Sequence, residues 1–111
     1  MAEGAISTHV LDIAAGRPAA GVSVELTVRD PDGSGWSLVA SAVTDADGRV
    51  ARLVDHTRPG IYRLWFDTGA YLGPEGFFPE AVVTFRVDED GRNCHVPLLL
   101  SPFGYSTYRG S

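Results

Sequence analysis

Apolar and polar residues alternate along most of this chain. Val22, Val24, Leu26 and Val28 interleave with Ser23, Glu25, Thr27 and Arg29. Period two puts the first set on one side of an extended segment, so this run predicts a half-buried strand. Trp36 to Thr44, rich in Val and Ala, predicts another. Ile61 to Asp67 predicts a third from its aromatic and branched residues. Val83, Phe85 and Val87 mark a fourth, and Val96, Leu98 and Leu100 a fifth. Ile6 to Ile13 fits a first strand and Tyr105 to Arg109 a short last one.

Turn chemistry separates these runs. Gly16-Arg17-Pro18 and Gly21 follow the first, and Pro31-Asp32-Gly33-Ser34-Gly35 follows the second. Asp45-Ala46-Asp47-Gly48 and Asp88-Glu89-Asp90-Gly91 predict hairpin turns, because Asp and Gly accept the positive φ such turns demand. The one helix candidate, Thr68 to Leu72, is kept short by Gly69, Gly73 and Pro74. Many short strands with regular turns predict an all-β sandwich or barrel. With 111 residues, the expectation is a single domain over 1–111.

One strand face changes the picture. If Val96, Leu98 and Leu100 point into the core, His95, Pro97 and Leu99 point out. Pro and Leu facing water suggest a face covered by another subunit.

Composition mostly excludes. A net charge of -5 argues against a nucleic-acid or anionic-membrane partner. All 9 basic residues are Arg, so amine chemistry of the Schiff-base kind has no lysine to use. Cys94 is the only cysteine and has no internal disulfide partner. Met1 to Ile6 reads as no secretory signal, and no run approaches the ~20 apolar residues of a membrane span. The expected location is the cytoplasm.

Candidate chemistry is sparse. The 3 histidines are His9, His56 and His95, and imidazole is the usual base near neutral pH. A satisfied structural histidine is the commoner fate of each, and periodicity does not bring His9 and His95 together. Scattered His and a lone Cys lack the paired spacing of a metal site, so no metal is expected. Asp45-Ala46-Asp47-Gly48 lacks the distal ligands of a calcium loop and reads as a tight turn. Cys94 and His95 are strand neighbours and face opposite ways. Tyr105-Ser106-Thr107-Tyr108-Arg109-Gly110-Ser111 is aromatic and cationic where chains usually fray. It reads either as a docked edge strand or as a tail that completes a site.

Several blocks carry a resemblance. Ile6-Ser7-Thr8-His9-Val10-Leu11-Asp12 with Gly16-Arg17-Pro18-Ala19, then Thr44-Asp45-Ala46-Asp47-Gly48-Arg49, Phe77-Phe78-Pro79-Glu80, Cys94-His95-Val96-Pro97-Leu98-Leu99-Leu100-Ser101-Pro102 and Tyr108-Arg109-Gly110-Ser111 stand in order. Together they resemble the transthyretin-related 5-hydroxyisourate hydrolases, from about Ile6 to the last residue. The terminal tetrapeptide is the feature that sets those hydrolases apart from hormone-carrying transthyretins.

The resemblance implies a transthyretin-type two-sheet β-sandwich with about eight strands and one short helix. It implies a homotetramer, a dimer of dimers with active sites in the cleft between dimers. It implies no metal and no organic cofactor. The implied substrate is 5-hydroxyisourate, opened by water to 2-oxo-4-hydroxy-4-carboxy-5-ureidoimidazoline in urate breakdown. The implied functional residues are His9, Arg49 and His95, with Tyr108, Arg109, Gly110 and Ser111 at the terminus. In that scheme an imidazole takes a proton from water and Arg49 steadies the developing oxyanion. Tyr108 and Arg109 contact the substrate, and the Ser111 hydroxyl or carboxylate orients a histidine. The competing readings are a small-ligand carrier of the same fold and a structural sandwich with no ligand.

Overall fold

A computed structural model describes residues 4–111. The strands are β1 (Ile6–Asp12), β2 (Arg17–Pro18), β3 (Ser23–Arg29), β4 (Trp36–Val43), β5 (Arg49–Val54), β6 (Gly60–Phe66), β7 (Ala81–Val87), β8 (Cys94–Ser101) and β9 (Gly104–Thr107). One helix, α1 (Thr68–Leu72), lies between β6 and β7.

Two sheets face each other. One runs β4-β3-β6-β7 and is antiparallel throughout. The other runs β2-β1-β8-β9, with β5 also paired to β1. In this second sheet β1 lies parallel to β8 and antiparallel to β5. The edge of β1 away from β8 is shared, because β5 pairs with Ile6 to His9 and β2 with Leu11 and Asp12.

Alternation builds the core. Ile6, Thr8 and Val10 of β1 point inward, as do Val24 and Leu26 of β3, Tyr62, Leu64 and Phe66 of β6, and Val96, Leu98 and Leu100 of β8. Each fully buried Leu, Ile or Phe contributes roughly 1.5–3 kcal/mol over an exposed one. Thr8 is tolerated there because its hydroxyl donates to the Val96 carbonyl at 2.7 Å.

Asp12 ends β1 and ties the turn after it to the helix. Its carboxylate accepts from Ala15 N and from the Tyr71 hydroxyl, both at 2.8 Å. Burial pushes the carboxyl up, but the Ala15, Tyr71 and Ala14 hydrogen bonds and nearby Arg17 together hold it below the usual value.

The two-sheet sandwich and the helix over Thr68–Leu72 match expectation. Three details differ. Strand β5 has no clear period-two signal, since its buried Val50 and Leu53 are separated by two exposed residues, Ala51 and Arg52. A register shift opposite Ile6 to Thr8 explains the broken alternation, as a bulge inserts extra residues and hides period two. The turns at Asp45–Gly48 and Asp88–Gly91 are tight, but each links strands of different sheets rather than a hairpin. On the outward face of β8, Pro97 is already buried within the chain, while His95 and Leu99 are half-buried. Among the described residues no helix is long and apolar enough to cross a membrane.

Candidate active site

The outer face of the β5-β1-β8 sheet gathers the residues that sequence keeps apart. On β1, Ser7, His9 and Leu11 point away from the core. His9 is the cross-strand partner of Arg49 on β5, so the two side chains leave the sheet on one side. Ser7 is the partner of His95 on β8, two residues along the same face. His9 therefore stands between Arg49 on one flank and the Ser7–His95 pair on the other.

A tight turn delivers Arg49. The Asp45 carboxylate accepts from Asp47 N and Arg49 N, each at 2.9 Å. Gly48 adopts φ 75°, which favours glycine, and its carbonyl accepts from Val10 N at 2.7 Å. A side chain at Gly48 would run into the Val10 carbonyl oxygen. The turn is thus pressed onto β1, and the Asp47 carbonyl meets His9 Nε2 at 2.9 Å. A carbonyl can only accept, so His9 carries a proton on Nε2.

His95 is anchored differently. Its Nδ1 lies 2.8 Å from the Ser7 hydroxyl. Burial, then the Arg49 guanidinium, then the His9 imidazole push its pKa below the ordinary imidazole value of 6.5. His95 is consequently neutral at pH 7. Both neighbours act on it through charge, which places all three groups within electrostatic reach.

The tail ends on the same residue. Thr107 Oγ1 donates to the Pro97 carbonyl at 2.7 Å, and Gly110 N donates to the His95 carbonyl at 2.8 Å. Gly110 crosses the imidazole so closely that a Cβ there would sit 2.5 Å from His95 Cδ2. Ser111 follows, exposed. Tyr108 and Arg109 come just before this crossing. They line a cavity of about 310 Å³ with Val83, Phe85, Cys94 and His95, at the open edge between β7 and β8. Cys94 is buried, and loss of water pushes its thiol up, so it is a poor nucleophile. His56 lies exposed between β5 and β6.

The arrangement thus unites His9, Arg49, His95 and Gly110, and leaves Tyr108 and Arg109 on a neighbouring wall. Sequence reasoning missed Ser7. Its period-two spacing from His9 was a usable signal, but its pairing with His95 depends on the parallel register of β1 and β8. Among the described residues no cluster of three or more His, Cys, Asp or Glu side chains could hold a metal ion. A guanidinium and a neutral imidazole can stabilise negative charge, and a second imidazole can move a proton.

Fold and site define a β-sandwich that gathers two imidazoles and a guanidinium on one sheet face. The HIUase/Transthyretin family model matches residues 6–110. The chain belongs to that family. It is 48% identical to the uric acid degradation bifunctional protein TTL of Arabidopsis thaliana, covering 96% of this chain but 37% of the plant protein. The chain thus spans little over a third of that relative's length. It is 40% identical to the 5-hydroxyisourate hydrolase of Mus musculus, over 96% of this chain and 94% of the mouse protein. Among solved structures, Klebsiella pneumoniae 5-hydroxyisourate hydrolase aligns with a TM-score of 0.85 and 40% identity, over 97% of this chain and 99% of that one. Sea bream transthyretin in complex with thyroxine aligns with a TM-score of 0.88 and 35% identity, over 95% and 93%.

Proposed function

We propose that this protein hydrolyses 5-hydroxyisourate to 2-oxo-4-hydroxy-4-carboxy-5-ureidoimidazoline in urate degradation. The observation that carries the reading is the convergence of His9, Arg49 and His95 on one outer sheet face, with the tail laid across His95. Water attacks a ring carbonyl, a C–O bond forms, and the ring C–N bond breaks. An imidazole takes the proton from water, and that proton is passed to the departing nitrogen. Arg49 offers a planar fork of donors to the oxygen on which charge builds. No cofactor enters this scheme.

The working unit is a homotetramer, a dimer of dimers, formed from chains that each act as one domain over 1–111. Exposed apolar side chains support an assembly: Ile13, just beyond β1, is 56% exposed, and Phe103, in the β8–β9 turn, is 78% exposed. By the alternation of β1, Ile13 follows Ser7, His9 and Leu11 on the face that bears the histidines. Closing that face with another subunit turns it into a cleft. Tyr108, Arg109 and the Ser111 carboxylate then contact substrate from the cleft wall. The reaction belongs in the cytoplasm, with no nucleic acid or membrane involved.

The test is spectroscopic. Urate oxidase generates 5-hydroxyisourate, and its absorbance decay is followed with and without the protein. Acceleration over spontaneous decay is expected. A chain ending at Thr107 should fold and lose at least about a hundredfold in turnover, since it frees the His95 ring. No acceleration by the intact chain, with tight binding of an iodinated phenol, would establish a carrier instead.

A further inference from the structure

The site assigns partners of opposite kind to its two imidazoles. His9 Nε2 faces the Asp47 carbonyl at 2.9 Å, which accepts and never donates. His95 Nδ1 faces the Ser7 hydroxyl at 2.8 Å, which can donate. The second contact is built into the sheet. Ser7 and His95 are register partners in the parallel β1–β8 ladder, and both point outward. Nδ1 of His95 is the group that the Ser7 hydroxyl meets among the described residues.

We propose that Ser7 is a positioning residue for the hydrolysis: its hydroxyl donates to His95 Nδ1, fixes the imidazole proton on Nε2, and aims that N–H at the carbonyl oxygen under attack. The proposal rests on the function inferred above and divides the labour of the two histidines. His95 stays neutral and, beside Arg49, donates a hydrogen bond to the developing oxyanion. Burial, Arg49 and His9 all favour that neutral form. His9 does the proton transfer. Its Nδ1 takes one proton from water as the oxygen bonds to the carbonyl carbon. The same proton then goes to the ring nitrogen as the C–N bond breaks, and His9 returns to its starting form. A hydroxyl at position 7 permits this division, whereas a carboxylate there would pull the proton onto Nδ1 and remove the Nε2 donor.

The experiment combines nitrogen-15 NMR of the histidine rings with steady-state kinetics on wild type, Ser7→Ala and Ser7→Thr. In resting wild type at neutral pH, His95 should appear as the Nε2–H tautomer. Ser7→Ala should lose that preference and lower kcat about tenfold, the equivalent of one hydrogen bond, with KM held within about twofold. Ser7→Thr, which keeps the hydroxyl, should restore both. An Nδ1–H tautomer in wild type, or Ser7→Ala with unchanged kcat, would overturn the proposal. The tautomer is read without substrate. Failure of the wild-type protein to speed 5-hydroxyisourate decay therefore counts against the function, and a wrong tautomer counts against Ser7.

Discussion

The two sheets turn very different outer faces to the surroundings. On β4-β3-β6-β7 several outward polar groups are taken up by aromatic side chains. Arg63 stacks on Trp36 with Cζ 3.8 Å from the ring centroid, and Arg29 approaches the same ring at 5.2 Å. Trp65 Nε1 donates to Glu80 at 2.8 Å. One atom is left over, as buried Arg63 Nε has no partner among the described residues. On β5-β1-β8 His9 is held by a turn carbonyl and His95 by a serine hydroxyl, with Gly110 crossing the His95 ring. Among the described residues Arg49 forms no ion pair; the salt bridges join Arg52 to Asp55 at 3.2 Å and Arg92 to Asp90 at 3.0 Å. The lesson is one of satisfaction. A face whose guanidinium groups are stacked on an aromatic ring is braced, while a face whose guanidinium and imidazoles are positioned without such a cover is free to act on a ligand.

The largest effects should separate the two faces by activity. His95→Ala and Arg49→Ala should each cut turnover at least about a hundredfold. Arg63→Ala, on the opposite sheet, should leave it within about twofold. Comparable losses from all three would dissolve the contrast.

Stability should sort them the other way. Trp36→Ala removes the ring on which two guanidinium groups lie and should cost about 1–2 kcal/mol in urea unfolding, with turnover intact. A Trp36→Ala protein as stable as wild type would mean that the stack is ornamental.

The smallest effect is a titration. His95 has a lowered pKa in the folded protein, so its neutral form is favoured there. Its contribution to stability is fully present above the ordinary value of 6.5 and is lost as pH falls through the lowered one. Arg49→Ala removes one of the nearby charges and should move the His95 midpoint, followed by NMR, back up toward the ordinary value. An unmoved midpoint would show that the guanidinium has no part in the shift.

Much of this molecule was written locally. Alternation set β3, β6, β7 and β8, and the glycines and Pro74 around Thr68–Leu72 set the length of α1. Asp45 to Gly48 announced its turn, because the chemistry that closes it lies within four residues. The family resemblance pointed to His9, Arg49, His95 and the terminal residues, which spacing alone does not connect. Strand β5 stayed hidden because its bulge breaks the period that betrays a strand.

What the sequence determined by itself was which face of each strand a residue occupies, since that follows from the pleat alone. Only the tertiary structure decided which faces meet. The parallel pairing of β1 with β8 joins residues 88 apart and sets Ser7 against His95, and the antiparallel pairing of β1 with β5 sets His9 beside Arg49. Register between distant strands depends on the packing of the whole core, and no short stretch of chain contains that information.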